Sequence, residues 1–143
     1  MKLFKLHELE ALNYIELFPG QYTGGGYMKI ESIYLTDDAF SFIAPAVKRG
    51  FEQYEPFNFF VLDKSCWILI MNEVEKLNEY LITDQDDKLD EYISIFYKER
   101  KLRDCKLAEY RTIRQEIVSL LKDFHEWIAS QLEDVKFITL IGI

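Results

Sequence analysis

The chain has 143 residues, 49% of them apolar and 15% aromatic, and carries a formal net charge of −8. That length fits one domain over residues 1–143, and the apolar content supports a core and excludes a disordered chain. Two cysteines exclude a dense disulfide framework, and no apolar run approaches the ~20 residues that a membrane helix needs.

The opening Met1-Lys2-Leu3-Phe4-Lys5-Leu6 runs into His7, Glu8 and Glu10, which leaves no apolar stretch for a secretory signal. The expectation is a soluble, cytoplasmic protein with reduced thiols at Cys66 and Cys105. Residues 2–6 alternate as a short strand does, and residues 7–17 suit a helical turn or two. Phe18-Pro19-Gly20 and Gly24-Gly25-Gly26 mark residues 18–26 as a loop. Residues 27–35 are the next strand candidate, with imperfect alternation. Thr36 precedes Asp37 and Asp38 as a helix cap should, and the helix over residues 37–49 presents Ala39, Phe40, Ile43 and Val47 on one face. Pro45 predicts a kink or an early stop, and Gly50 an end.

Residues 57–62 read as a strand, after which Asp63 or Ser65 caps the clearest helix. There Trp67, Ile70, Val74, Leu77 and Leu81 recur at 3, 4, 3, 4 spacing and draw one apolar stripe. A third helix carries Leu89, Tyr92, Ile93 and Phe96. A fourth and longest carries Leu107, Tyr110, Ile117, Leu121, Phe124 and Ile128. Residues 136–141 predict a buried final strand. The fold class is therefore α+β, with short strands and a helix-rich second half. Over residues 86–132 a hairpin is expected, because one continuous helix would outrun so small a domain.

Candidate catalytic groups are sparse. His125-Glu126 begins like a zinc-protease helix, but Ala129 stands where the second histidine belongs. No Cys-x-x-Cys exists for a metal or redox pair. The glycines at 24–26 lead toward a strand rather than a helix, and no Gly-Lys-Ser/Thr follows, so a contact loop rimmed by Tyr22 and Tyr27 outweighs a phosphate cradle. The expectation is a protein without catalytic machinery, metal or cofactor.

Charge is the stronger signal. Residues 73–97 hold eight acids against Lys76 and Lys88, whereas residues 98–114 hold seven bases against three acids. The block Asp84, Asp86, Asp87, Asp90 and Glu91, with Glu79, predicts a docking surface for a basic protein partner. The competing expectation is that the basic run neutralises these acids across the hairpin. An acidic chain is repelled by nucleic acid and anionic membranes, so both are poor partners.

Tyr22-Thr23-Gly24-Gly25-Gly26-Tyr27-Met28 leads into Ile30-Glu31-Ser32-Ile33-Tyr34-Leu35. The helix over 36–51 and the strand over 57–63 entering the Trp67 helix follow. In size, acidity and order of elements, these first 80 or so residues resemble the small immunity proteins of bacterial contact-dependent growth inhibition and related polymorphic toxin systems. The resemblance implies a non-enzymatic protein that neutralises a cognate toxin domain, often a basic nuclease, by binding it. It transfers no site residue. Two other readings stand beside it: a small cytosolic enzyme using carboxylates, and a module that self-associates through its helical half.

Overall fold

The computed structural model describes residues 1–10, 13–22 and 29–142, and over these the architecture is α+β. Strands β1 (Tyr14–Pro19), β2 (Ile33–Thr36), β3 (Phe59–Asp63) and β4 (Phe137–Ile141) form one antiparallel sheet in the order β2-β1-β4-β3. The helices are α1 (Asp37–Gly50), α2 (Lys64–Ile82), α3 (Asp86–Ile93), α4 (Arg100–Thr112) and α5 (Arg114–Gln131). Ile15, Leu17, Leu35, Leu62, Ile138 and Leu140 on the inner face of the sheet join one buried cluster with Phe40, Ile43, Trp67, Ile70 and Phe124 of the helices. The Trp67 indole N–H fastens the two layers by donating to the Ile138 carbonyl at 2.9 Å. No helix among the described residues is long and apolar enough to cross a membrane.

The apolar stripe of α2 is buried at all five predicted positions, and so are the six predicted positions of the last helical stretch. Asp63 is the α2 cap, accepting from the Cys66 N–H at 2.9 Å, and Thr36 caps α1 by accepting from the Ala39 N–H at 3.1 Å. β4 is buried as expected, and it takes a central place in the sheet.

Several local expectations are corrected. Residues 14–17 belong to β1, not to a helix, because Ile15 and Leu17 face the core while Tyr14 and Glu16 are buried on the opposite face. Such a strand, covered on both sides, shows no alternation of polar and apolar residues. Phe18 and Pro19 extend β1 rather than opening a loop, pairing with Thr139 and Ile138. Of the strand expected over 27–35, residues 29–32 are turn and loop and pairing begins at Ile33 of Ile33–Thr36, with Ile30 76% exposed ahead of it. The N-terminal strand shrinks to a single bridge from Phe4 to Tyr34, followed by a 3-10 turn at Leu6–Glu8. The second half is three helices: the chain returns between α3 and α4, and non-helical backbone at Ile113 (φ −118°, ψ 34°) separates α4 from α5. The loop expected at Gly24-Gly25-Gly26 lies outside the described residues.

Two positions in α1 set the packing. Gly50 meets α2 so closely that a Cβ there would stand 2.6 Å from the Ile70 Cα, which leaves room only for hydrogen. Pro45 is buried within α1, and the helix runs on past it to Gly50. A proline has no N–H for the carbonyl four residues earlier, here Ser41. That carbonyl instead accepts from the Tyr97 hydroxyl at 2.9 Å. One residue along, the Phe42 carbonyl accepts from the buried Tyr110 hydroxyl at 2.7 Å. Lys106 lies between them, over the Phe42 ring at 3.6 Å, with its ammonium on the Ser41 hydroxyl and on Glu109. Burial lowers the pKa of Lys106, and Glu109 opposes the shift.

Removing the Tyr97 hydroxyl should therefore orphan the Ser41 carbonyl. Tyr97→Phe is expected to cost about 1–2 kcal/mol in denaturant titrations. In a Pro45→Ala background the same change should cost much less, because alanine supplies the N–H that proline lacks; equal costs in the two backgrounds would refute the coupling.

Burial also pushes the Tyr97 phenol up to about 12. Between pH ~10 and ~12 the unfolded chain releases this proton and the folded chain retains it, so the stability contributed by Tyr97 is full below pH ~10 and lost as pH rises through ~12. Alkaline titrations of stability should show a shallower loss for Tyr97→Phe than for the parent.

Candidate partner-binding surface

The acidic block folds largely against the chain's own bases. Asp86 and Asp90 fall four residues apart on the side of α3 that meets α4. Asp90 accepts from Arg100 at 3.0 Å and from Arg103 at 3.2 Å. Asp86 pairs with Arg111 at 3.0 Å and lies 3.8 Å from Arg114. Asp84, with its backbone in the left-handed region at φ 60°, pairs with Arg114 at 2.6 Å. Neutralisation across the α3–α4 return thus accounts for Asp86 and Asp90, and Arg114 at the start of α5 accounts for Asp84. These contacts supplement the buried Leu107 and Tyr110 that anchor α4.

The other three predicted acids turn elsewhere. Asp87 and Glu91 occupy the neighbouring side of α3, and Glu79 lies on α2; no ion pair holds any of the three among the described residues. Glu79 and Glu91 line two hollows of about 480 and 210 Å³ that share Arg49 in their walls. Arg49 itself is pinned, donating to the Tyr92 and Glu91 carbonyls at 2.9 and 3.2 Å with its guanidinium 4.5 Å from the Tyr92 ring centre. Glu73 and Glu75 complete an acidic rim, balanced in part by Lys76 and Lys88.

Tyr22 leads to a different surface. Its backbone N–H donates to the Thr139 hydroxyl at 3.2 Å, and that hydroxyl donates to the Gly20 carbonyl at 2.8 Å. This folds residues 20–22 over the outer face of β4. The Tyr22 ring meets Phe59 and Phe18 edge-on at 5.8 and 6.2 Å. Nearby on this face Glu16 is buried, taking the Ser32 hydroxyl at 2.7 Å and the Tyr34 hydroxyl at 3.2 Å. Burial first, and Glu16 second, push the Tyr34 phenol well above its ordinary value. Tyr27 lies outside the described residues.

Sequence reasoning missed the residues beside Tyr22. β3 is an edge strand whose Phe60 and Leu62 turn inward, while Phe59 is 55% exposed and Val61 37%. Just ahead of it Phe57 is 68% exposed and holds φ at 67°, a left-handed conformation that β-carbon-bearing residues rarely adopt. The run Phe57-Asn58-Phe59-Phe60-Val61-Leu62 carried a signal: Phe57, Phe59 and Val61 are apolar on one set of alternate positions while Phe60 and Leu62 are apolar on the other, and only one buried face requires them.

The candidate catalytic residues remain apart. His125 lies 3.0 Å from Glu75 and ties α5 to α2, whereas His7 is exposed in the N-terminal 3-10 turn. Among the described residues no three His, Cys, Asp or Glu side chains gather as metal ligands. Both cysteines are free thiols, and burial pushes that of Cys66 up.

The two kinds of acid should separate on mutation. Arg103, only 17% exposed on Asp90, should cost about 1 kcal/mol when changed to Ala, and Asp87→Ala about 0.5 kcal/mol or less by chemical denaturation. Phe57→Gly should raise stability by about 1 kcal/mol by relieving the left-handed backbone, an outcome that a destabilised variant would contradict.

Comparison of the chain with protein-family models, with curated proteins and with solved structures yields no match.

Proposed function

We propose that this chain is an immunity protein, which binds a cognate bacterial toxin domain directly and neutralises it without chemistry of its own. The observation that carries this reading is the exposed aromatic edge at Phe57, Phe59 and Val61 beside Tyr22, on a protein of net charge −8. Solvent-facing aromatic residues of this kind are what hold a protein complex together once it forms. Glu79, Asp87 and Glu91, without ion pairs among the described residues, supply the field that attracts and orients a basic toxin. Binding in the cytoplasm fits the two unpaired thiols.

The test begins with the tagged chain recovered from its source cell and its stoichiometric partner identified by mass spectrometry. The expected partner is one basic toxin domain, whose activity in vitro falls to background at an equimolar amount of the chain. A toxin that stays active at saturating chain, or a stoichiometric partner that is no toxin, overturns the reading.

A further inference from the structure

The ladder between β3 and β4 fixes which backbone groups of β3 are spoken for. Phe59 stands opposite Ile141, Val61 opposite Thr139 and Asp63 opposite Phe137. Just outside the strand the Gly142 N–H donates to the Asn58 carbonyl at 2.9 Å, and the Lys64 N–H donates to the Lys136 carbonyl at 3.1 Å. Hydrogen-bonded pairs alternate with non-bonded ones along an antiparallel ladder. The bonded pairs are therefore 58 with 142, 60 with 140, 62 with 138 and 64 with 136. The N–H and C=O groups of Phe59 and Val61 point the other way, to the free side of β3.

No strand occupies that side among the described residues. At the opposite edge of the sheet the chain covers itself, since Phe4 and Tyr34 exchange backbone hydrogen bonds at 2.8 and 2.9 Å. Within β3 the one charge is Asp63 at its end, where it caps α2, and residues 59–62 contain no charge, no proline and no glycine to blunt the edge. Free peptide groups in a row are matched by one kind of ligand, another extended polypeptide.

Charge says which polypeptide. Residues 51–63 hold Glu52, Glu55 and Asp63 and no base. Asp63 is taken up as the α2 cap, and Lys48 lies 3.7 Å from Glu55, whose side chain stays 66% exposed. Glu52 and Glu55 are therefore the acids that face a partner. Pairing β3 with a second copy of itself would bring two such segments together, each on a chain of charge −8, across fewer residues than a stable dimer interface uses. A cationic strand meets no such repulsion.

We infer that β3 is a docking edge that extends the sheet by one strand, taking an extended segment of a cationic protein partner that sets apolar side chains against Phe59 and Val61 and Lys or Arg beside Glu52 and Glu55. This rests on the reading of the chain as a toxin-binding protein and assigns the mode of binding.

A displayed library of random twelve-residue peptides, selected against the whole chain, tests the edge without any toxin. Enriched peptides should alternate branched or aromatic residues and carry Lys or Arg. They should slow amide hydrogen exchange at Phe59 and Val61 at least tenfold in the parent protein. Val61→Pro removes an N–H that makes no bond within the fold, so thermal unfolding should stay close to the parent while peptide affinity falls at least tenfold. Should that variant unfold, the exchange measurement on the parent still decides. Failure to enrich any peptide, equal binding by Val61→Pro, or protection confined to α2 and α3 overturns the inference. So does a parent dimer in sedimentation equilibrium that Val61→Pro abolishes, since the occupant is then a second copy. A toxin that binds Val61→Pro as tightly as the parent removes the edge and leaves the immunity reading standing.

Discussion

The sheet depends on β4. Strands β1 and β2 are neighbours along the chain and pair directly, but β3 reaches them only through β4, which lies between β1 and β3. Thr139 sits at the middle of this strand, opposite Phe18 on one side and Val61 on the other, and its hydroxyl also holds residues 20–22 in place. The Trp67 indole bonds to the residue before it. Anything that loosens β4 therefore separates the sheet into two parts and frees the core tryptophan together. Contacts so distant in sequence are costly to close, and they reward the chain only when all are made.

Charge is organised in two tiers by the same fold. Helix α4 is anchored by buried Lys106, Leu107 and Tyr110, and the acids of α3 add ion pairs along its basic face. Asp84, Asp86 and Asp90 therefore serve cohesion first. What remains facing outward is still acidic, as the net charge of −8 requires. For the immunity role proposed above, recognition would divide between long-range attraction spread over the surface and short-range fit at the apolar edge of β3.

Helices α1 and α2 were legible in the sequence because their signals are local, whereas the break at Ile113 that divides the last helical stretch into α4 and α5 has no glycine or proline to mark it. Thr36 and Asp63 announce their caps, and the 3, 4, 3, 4 spacing from Trp67 to Leu81 places one face inward whatever the neighbours are. The strands were not, for a physical reason. Glu16 is polar yet 2% exposed, satisfied by Ser32 and Tyr34 from another part of the chain, so the alternation that marks a one-sided strand is erased. The acidic block was legible as charge but not as surface, since whether Asp90 faces solvent or Arg103 depends on where the chain turns back. The open side of β3 was beyond reach altogether: Phe59 and Val61 become an edge only once β4 has chosen the other side.

Pro45 carries one more consequence. A helix usually satisfies its own backbone, so it can form and break as a local event. Helix α1 does not, because the Ser41 carbonyl borrows its donor from Tyr97, in the connection between α3 and α4. Tyr110 of α4 lends a second hydroxyl to the next carbonyl. Opening the α3–α4 segment thus strips the Ser41 carbonyl of a donor that no residue of α1 replaces, whereas the Phe42 carbonyl still has the Ala46 N–H within its own helix. The two regions, more than forty residues apart in the chain, breathe as one cooperative unit, and thermal motion that exposes one of them exposes both.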